Sequence, residues 1–331
     1  MPEIAHRGPQ RRVEPPTRFV YLGPEGTFAE QALGVLAGPR DSRTPARSVP
    51  EALDTVRAGD ADAAVVPLEN SIGGAIGVTL DELAAGEPLI IAREAVLPVE
   101  FVLAGRSGVA LSAIHTVAAH PQASTQCRGW LGAHLPDATV IDVLSNSAAA
   151  ADAASGRCDA AICAPIGAAR LGLSVVVDKI ADHPDAMTRF AMVTRPAAPP
   201  PPTGDDVTSL AVYISHDRVG ALLAVLMELA VRGVNLTRIE SRPTGERLGR
   251  YAFFLDCTGH VAEARVGEAL AGLHRICAEV RFLGSYARHH PAGPDAGDGP
   301  VAPAAGLTDA DFAEAAAWLA RIRSGTLRPG G

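Results

Sequence analysis

The segment Pro196-Ala-Ala-Pro-Pro-Pro-Pro-Thr-Gly204 constrains the fold more than any other stretch of the chain. Proline fixes φ and removes the backbone donor, so neither a helix nor a central strand runs through it; it reads as a stiff, extended spacer. It divides the 331 residues into separately built parts. An N-terminal unit is expected over 18–195, a Pro-rich linker over 196–205 and a second module over 206–288. A Gly/Pro-rich stretch from His289 to Gly306 then sets off a tail, 289–331. There Thr308 is placed to cap a helix carrying Phe312, Ala316, Leu319 and Ile322 at helical spacing. Residues 1–17 are rich in arginine and proline and lack the apolar stretch of a secretory signal, so a disordered leader is expected.

Strand-like and helix-like runs alternate within 18–195. Arg18–Leu22, Ala61–Leu68, Pro98–Ala104, Thr116–Ala119 and Thr139–Val143 read as strands, whereas Pro50–Ala58 and Thr125–His134 have helical periodicity. That alternation predicts α/β layers with mainly parallel sheets. An internal echo predicts two lobes. Ser48, Ala52, Gly59 and Asp62 recur at one offset as Ser145, Ala149, Gly156 and Asp159, each set a capped helix, a glycine stop and an Asp-Ala-Ala entry into an apolar strand. Two such lobes place a ligand cleft between them, where strand ends and helix N-termini converge. From Thr208 to Tyr286 the order is strand, helix, strand, strand, helix, strand, the βαββαβ ferredoxin-like unit.

Bulk properties exclude several classes. A net charge of −8 argues against nucleic acid as a partner. No apolar run reaches the ~18 residues of a membrane span. The five cysteines form no C-x-x-C pair, which predicts buried, reduced thiols in a cytoplasmic protein rather than disulfides or a zinc site.

Five short polar segments, each beside a strand-like run, carry the chemistry: Gly23-Pro-Glu-Gly-Thr-Phe28, Glu69-Asn-Ser-Ile-Gly-Gly74, His120-Pro-Gln122 through Gln126-Cys127, Ser145-Asn-Ser147 and Thr188-Arg-Phe190. A carboxylate, an amide and a hydroxyl at Glu69, Asn70 and Ser71 end a strand, where side chains meet ligands. Thr27, Ser145 and Ser147 are placed to open helices, whose backbone donors suit anions. Gln126 lies one helical turn beyond Gln122, on the same face.

In this order, followed by the βαββαβ module, the segments resemble those of prephenate dehydratases, which convert prephenate to phenylpyruvate. The resemblance covers roughly Phe19 to Arg288. It implies a two-lobed, periplasmic-binding-protein-like catalytic unit plus an ACT regulatory domain. It also implies Thr188, Glu69, Asn70 and Gln126 as catalytic residues, with Thr27, Ser71, Gly74, Ser145, Ser147, Arg189 and Phe190 binding substrate. No metal or cofactor is implied, because aromatisation of the substrate drives the reaction; the protein supplies orientation and help for the leaving hydroxyl. Gly220, Ala221, Leu222, Asn235, Glu240, Ser241, Arg242 and Pro243 match the segments by which the family binds L-phenylalanine. Feedback inhibition and a homodimer or homotetramer follow from that match. Deleting 206–331 is expected to leave the chemistry intact and abolish the effect of L-phenylalanine.

Two positions depart from the family's usual pattern: Ala186 stands where Asn is frequent, and Gly73 where a polar residue is. Three alternatives stand beside the dehydratase. A decarboxylase on prephenate would protonate the ring and not need Thr188; an arogenate dehydratase would differ only in its taste for an amine; a silent amino-acid sensor would bind without turnover.

Overall fold

Three sheets organise the chain in the computed structural model, which describes residues 16–214, 219–244, 251–291 and 302–326; the leader, up to residue 15, lies outside them. The first lobe runs β1 (Arg18–Leu22), α1 (Phe28–Leu36), β2 (Ser42–Ala46), α2 (Val49–Ala58), β3 (Ala63–Asn70), β4 (Gly74–Ala75), α3 (Gly77–Ala84) and β5 (Ile90–Pro98). The second runs β6 (Val102–Gly105), β7 (Thr116–Ala119), α4 (Pro121–Gln126), α5 (Arg128–His134), β8 (Thr139–Asp142), α6 (Asn146–Ser155), β9 (Ala160–Cys163), α7 (Pro165–Arg170) and β10 (Ser174–Val177). The chain then returns to the first lobe as β11 (Met187–Thr194). The C-terminal domain comprises β12 (Asp206–Tyr213), α8 (Ala221–Ala230), β13 (Leu236–Pro243), β14 (Tyr251–Thr258), α9 (Ala264–Ile276) and β15 (Glu279–Ala287), with α10 (Asp309–Ser324) beyond it. Among the described residues, no helix is long and apolar enough to cross a membrane.

The internal echo is architectural. Ser48 and Ser145 cap α2 and α6 with their side chains, and Gly59 and Gly156 end those helices in the left-handed region. Only glycine adopts that φ without strain. Asp62 and Asp159 then accept the backbone N–H of Arg18 and Thr116, the first residues of the neighbouring strands β1 and β7. The same device of serine cap, glycine stop and aspartate acceptor thus sets strand against helix in both lobes.

The sheets are mixed rather than mainly parallel. In the first lobe the order is β2-β1-β3-β11-β5, with β1 parallel to both β2 and β3, and β11 antiparallel to both β3 and β5. The second lobe has order β10-β6-β9-β7-β8, with β6 antiparallel to β9. In the first lobe the departure has a topological cause: β11 returns from the far lobe, with no crossover helix, alongside the strand that left for it, β5, so the two run antiparallel. Val99 N–H to Ala186 O (2.7 Å) and Ile180 N–H to Phe101 O (3.0 Å) continue the pairing of the outgoing and returning segments through the junction.

Each face of the first sheet has a different cover. Phe19, Tyr21, Val65, Leu97 and Phe190 pack on one face with Ala29, Ala32 and Leu33 of α1. Val20, Val66, Leu68, Ile91, Ala191 and Val193 pack on the other with α2 and α3, and also with Val207, Ala211, Phe254, Leu283 and Tyr286 of the C-terminal sheet. That sheet, of order β13-β14-β12-β15, turns its opposite face to Val225 and Leu229 of α8 and Val266, Ala269 and Leu273 of α9. Its helix-free face is therefore plugged onto the first lobe. Contact is close enough that a Cβ at Gly284 of β15 would lie 2.1 Å from the Ile91 carbonyl oxygen. One continuous core thus spans both parts on either side of the proline-rich linker.

Candidate active site

A β-bulge builds the centre of the site. Along β11, Arg189 is opposite Glu69 of β3, but the next residue, Phe190, is opposite Pro67, so Leu68 is the extra residue. Strand side chains alternate between faces, and a bulge resets that alternation. Leu68 belongs to the core beneath the C-terminal domain. Without the bulge Asn70, two residues on, would point there too. With it, Asn70 turns to the opposite side and meets Thr188: its Nδ2 donates to Thr188 Oγ1 at 2.9 Å.

The pair is buried, Asn70 being 6% and Thr188 9% exposed, and its protons are assigned by geometry. Asn70 Oδ1 accepts the backbone N–H groups of Ile72 (2.9 Å) and Gly73 (2.8 Å), so the amide nitrogen must face Thr188. Thr188 Oγ1 is therefore an acceptor in this contact, and its own O–H is left to donate elsewhere. Ser71 is stitched to the same strand end: its N–H donates to Met187 O, and its Oγ accepts Met187 N–H at 2.9 Å. Gly74, at φ +74°, lets the chain turn back into β4 beside Asn70.

A cleft of about 650 Å³ opens between the lobes, walled by Thr27, Arg47, His120, Gln122, Ser145 and Asn146 among others. Thr27 caps α1, accepting Glu30 N–H, and Ser145 caps α6, accepting Ala148 N–H at 3.0 Å. Both helix N-termini thus reach the cleft, where their partial positive charge favours an anion. Gln122 on the cleft wall and Asn70 flank Gly73: a Cβ there would sit 3.4 Å from Gln122 Nε2 and 3.5 Å from Asn70 Oδ1. Gly73, a departure from the family pattern, thus leaves room beside both amides. Gln126, at the end of α4, is buried, and its Oε1 has no hydrogen-bond partner among the described residues. That spare acceptor is a capacity for a ligand donor. At one side the lobes touch: Ser147 Oγ donates to the Glu25 carbonyl, and Arg170 pairs with Glu25 (2.7 Å) and Glu30 (2.8 Å). Gly26 and Gly167 approach so closely there that a Cβ on Gly167 would lie 2.9 Å from Gly26 O.

Three anticipated substrate contacts, and Glu69 of the anticipated catalytic set, stand elsewhere. Arg189 turns from the cleft into the domain junction, where its guanidinium donates to Glu94 (2.6 Å), Asp256 (2.6 Å) and the Tyr286 hydroxyl (2.7 Å). Burial lowers its proton affinity, but Tyr286, Asp256 and Glu94 outweigh that and raise it well above normal. Glu69 lies on the same side, 3.7 Å from both Arg189 and Arg238, rather than beside Asn70. Phe190 is 2% exposed in the core against α1. Ser147 spends its hydroxyl on the lobe contact. Arg189 and Glu69 share one physical reason, since strand alternation, shifted by the bulge, separates them from Thr188 and Asn70 onto the opposite face, whereas Phe190 shares the Thr188 face but is taken up by the packing against α1.

Among the regulatory candidates, Gly220 (φ +81°) opens α8 with Ala221 and Leu222 in its first turn, whereas Asn235 follows the helix's far end. Glu240, Ser241, Arg242 and Pro243 close β13, an edge strand. Arg242 pairs with Asp81 of α3 at 2.6 Å, a second tie to the first lobe. Arg47 and Asn146 on the cleft wall were not singled out by sequence; their signal is position, Arg47 following β2 and Asn146 following the Ser145 cap. The five cysteines are free, and burial pushes the Cys127 thiol up to about 12, so it stays protonated and is no nucleophile. Among the described residues, no cluster of three or more His, Cys, Asp or Glu is arranged to hold a metal.

Fold and site together define a two-lobed α/β catalytic unit carrying a ferredoxin-like regulatory domain. A family model described as prephenate dehydratase matches residues 19–198, and one described as ACT domain matches 208–275. A protein named prephenate dehydratase from Amycolatopsis methanolica is 46% identical over 310 residues, 93% of this chain and 99% of its own. The crystal structure of prephenate dehydratase in complex with L-Phe from Arthrobacter aurescens superposes with a TM-score of 0.84 at 47% identity, covering 93% of this chain and 99% of that one. A further solved structure, with TM-score 0.71 and 27% identity over 84% of this chain and 98% of that one, is titled GqqA, a novel type of quorum quenching acylases. The chain belongs to the prephenate dehydratase family.

Proposed function

We propose that this chain converts prephenate to phenylpyruvate by decarboxylating loss of water, under feedback control by L-phenylalanine. The observation that carries the reading is the Asn70–Thr188 hydrogen bond, which leaves a buried hydroxyl with its proton free to give. Breaking the bond to the ring carboxylate releases CO2 and moves an electron pair into the ring. The ring becomes aromatic as the C–O bond breaks, and the departing oxygen takes the Thr188 proton to leave as water; Thr188 regains a proton from solvent. Donation by Asn70 into Oγ1 polarises the O–H and makes it a better donor at that moment. Because the side-chain partner of Thr188 is an amide, which takes no proton, the hydroxyl suits donation rather than attack, and so favours elimination over acyl transfer.

The rest of the site grips a dianion. The N-termini of α1 and α6 supply positive potential, Ser71 a hydroxyl proton, and Gln126 a spare acceptor for a substrate hydroxyl, while Arg47 on the wall is already paired with Glu51 at 3.0 Å. In this reading 18–195 form the catalytic unit, 206–288 the regulatory domain, and the protein works in the cytoplasm without metal or cofactor. Arogenate is the second substrate to test. Gly220 and Asn235 flank α8, a ten-residue helix about 15 Å long, so one protomer does not bring those two residues together. A site completed by a second copy accounts for that separation, and makes a dimer the expected regulated form.

The test is cofactor-free turnover of prephenate by the purified chain, with EDTA present, followed by the absorbance of phenylpyruvate in base. Thr188→Ala is expected to lower kcat by roughly 10²-fold, the scale of one lost donor. Thr188→Ser, which keeps the hydroxyl, should retain most of the rate. Full activity in Thr188→Ala would refute the assignment.

A further inference from the structure

The geometry points to Arg189 as a positioning residue, anchored by the ACT domain through Asp256 and Tyr286, that holds the catalytic strand so that Thr188 faces the leaving oxygen. The inference rests on Thr188 being the proton donor. Thr188 and Arg189 are consecutive on β11 and point to opposite faces of one sheet, so a force on the guanidinium acts on the hydroxyl through a single Cα–Cα link. Every fork of that guanidinium is taken: Nε by Glu94, one terminal nitrogen by Asp256, the other by Tyr286. A planar donor with three fixed acceptors has one orientation, unlike an ammonium on a flexible stem.

The anchor is itself rigid. Asp256, 1% exposed, also accepts from Arg238 (2.8 Å) and from Ser209 Oγ (2.7 Å), and Ser209 Oγ lies 2.7 Å from the Tyr286 hydroxyl. These partners come from β12, β13, β14 and β15, so all four strands of the ACT sheet converge on one side chain of the catalytic lobe. Glu94 of β5 is shared as well, accepting the His289 N–H at 2.9 Å, while His289 Nδ1 accepts Val96 N–H at 3.1 Å. Core packing alone would hold the two parts together without burying charge beside the reacting residue. A buried ionic knot that costs desolvation is instead suited to setting direction.

The experiment measures kcat and KM of the full-length protein for prephenate in Tyr286→Phe and Asp256→Asn, each alone and combined with Thr188→Ala, with thermal melts to show that each is folded at the assay temperature. Tyr286→Phe removes one hydroxyl from the knot and is read by itself if Asp256→Asn does not fold. The expected result is a kcat lowered by roughly 10-fold or more with KM little changed, as for an alignment error at the reacting atom. In the Thr188→Ala background the same changes should cost nothing further, because the atom they position is gone. An unchanged kcat in the folded variants, or losses that multiply with that of Thr188→Ala, overturns the inference. Full activity in Thr188→Ala alone instead overturns the proton-donor reading beneath it.

Discussion

Replacing Asn70 by Asp separates the chemistry of the site from its stability. One carboxylate oxygen can keep the bonds from Ile72 and Gly73 N–H, so the turn survives. The other replaces a donor by an acceptor 2.9 Å from Thr188 Oγ1. Thr188 must then turn its proton onto the carboxylate, in a charge-assisted bond worth about 1.5–3 kcal/mol. Breaking that bond to serve the leaving oxygen adds the same amount to the barrier, roughly 10- to 150-fold in kcat at about 1.36 kcal/mol per decade. The added negative charge should also raise KM for a dianionic substrate. A signature distinguishes this from mere damage: a protonated carboxylic acid again presents an O–H to Thr188. The kcat of Asn70→Asp should therefore rise as pH falls toward the carboxyl range, near 4 or somewhat above for a buried group, while wild type shows no such rise. A pH profile of kcat by stopped assays, with melting curves alongside, decides it. Wild-type kcat in Asn70→Asp at pH 7.5, or a deficit that acid does not relieve, refutes the assignment of donor and acceptor.

Three further outcomes are expected. Burial pushes the Asp256 pKa up, but Arg189 and Arg238 more than reverse it and hold the group below the usual carboxylate range. The unfolded chain then binds the extra proton, so this stabilisation is complete above about pH 4 and drains as pH falls further; Tm against pH should show a flatter acid limb in Asp256→Asn. Gly284→Ala sets a Cβ 2.1 Å from Ile91 O at φ +142° and should cost about 3 kcal/mol or more in denaturant midpoint analysis; a change under 1 kcal/mol would mean the domains are not docked this way. Deleting 206–331 uncovers Val66, Ile91 and Val193, which pack with Phe254 and Leu283, so the fragment should be poorly soluble; a soluble, active 1–205 would contradict the shared core.

What was legible in the sequence is what local chemistry writes. Ser48 and Gly59, Ser145 and Gly156 mark two helices because caps and left-handed stops are single-residue requirements. The βαββαβ order of the last sheet follows from periodicity in the same way. The directions of Glu69 and Arg189 were not legible because they depend on neighbours distant in sequence. Alternation alone says that Glu69 and Asn70, or Thr188 and Arg189, do not share a face. The bulge that decides which one faces the cleft had a trace: Pro67, in the middle of a central strand, where proline is found essentially at bulges or edges. Nothing local marks Asp256 as a partner of Arg189. Nor does a proline-rich linker reveal whether the domains it joins lie apart or pressed together.

The two passages of the chain between lobes leave at Pro98 and come back at Met187, side by side. Thr188 is one residue inside that pivot. In any swing the displacement of an atom grows with its distance from the axle, so the reactive hydroxyl barely travels while Gln122 and Ser145 sweep through an arc. Were the lobes to open about this pivot, the acid proposed at Thr188 would keep its place from one turnover to the next, as a door keeps its lock beside the hinge.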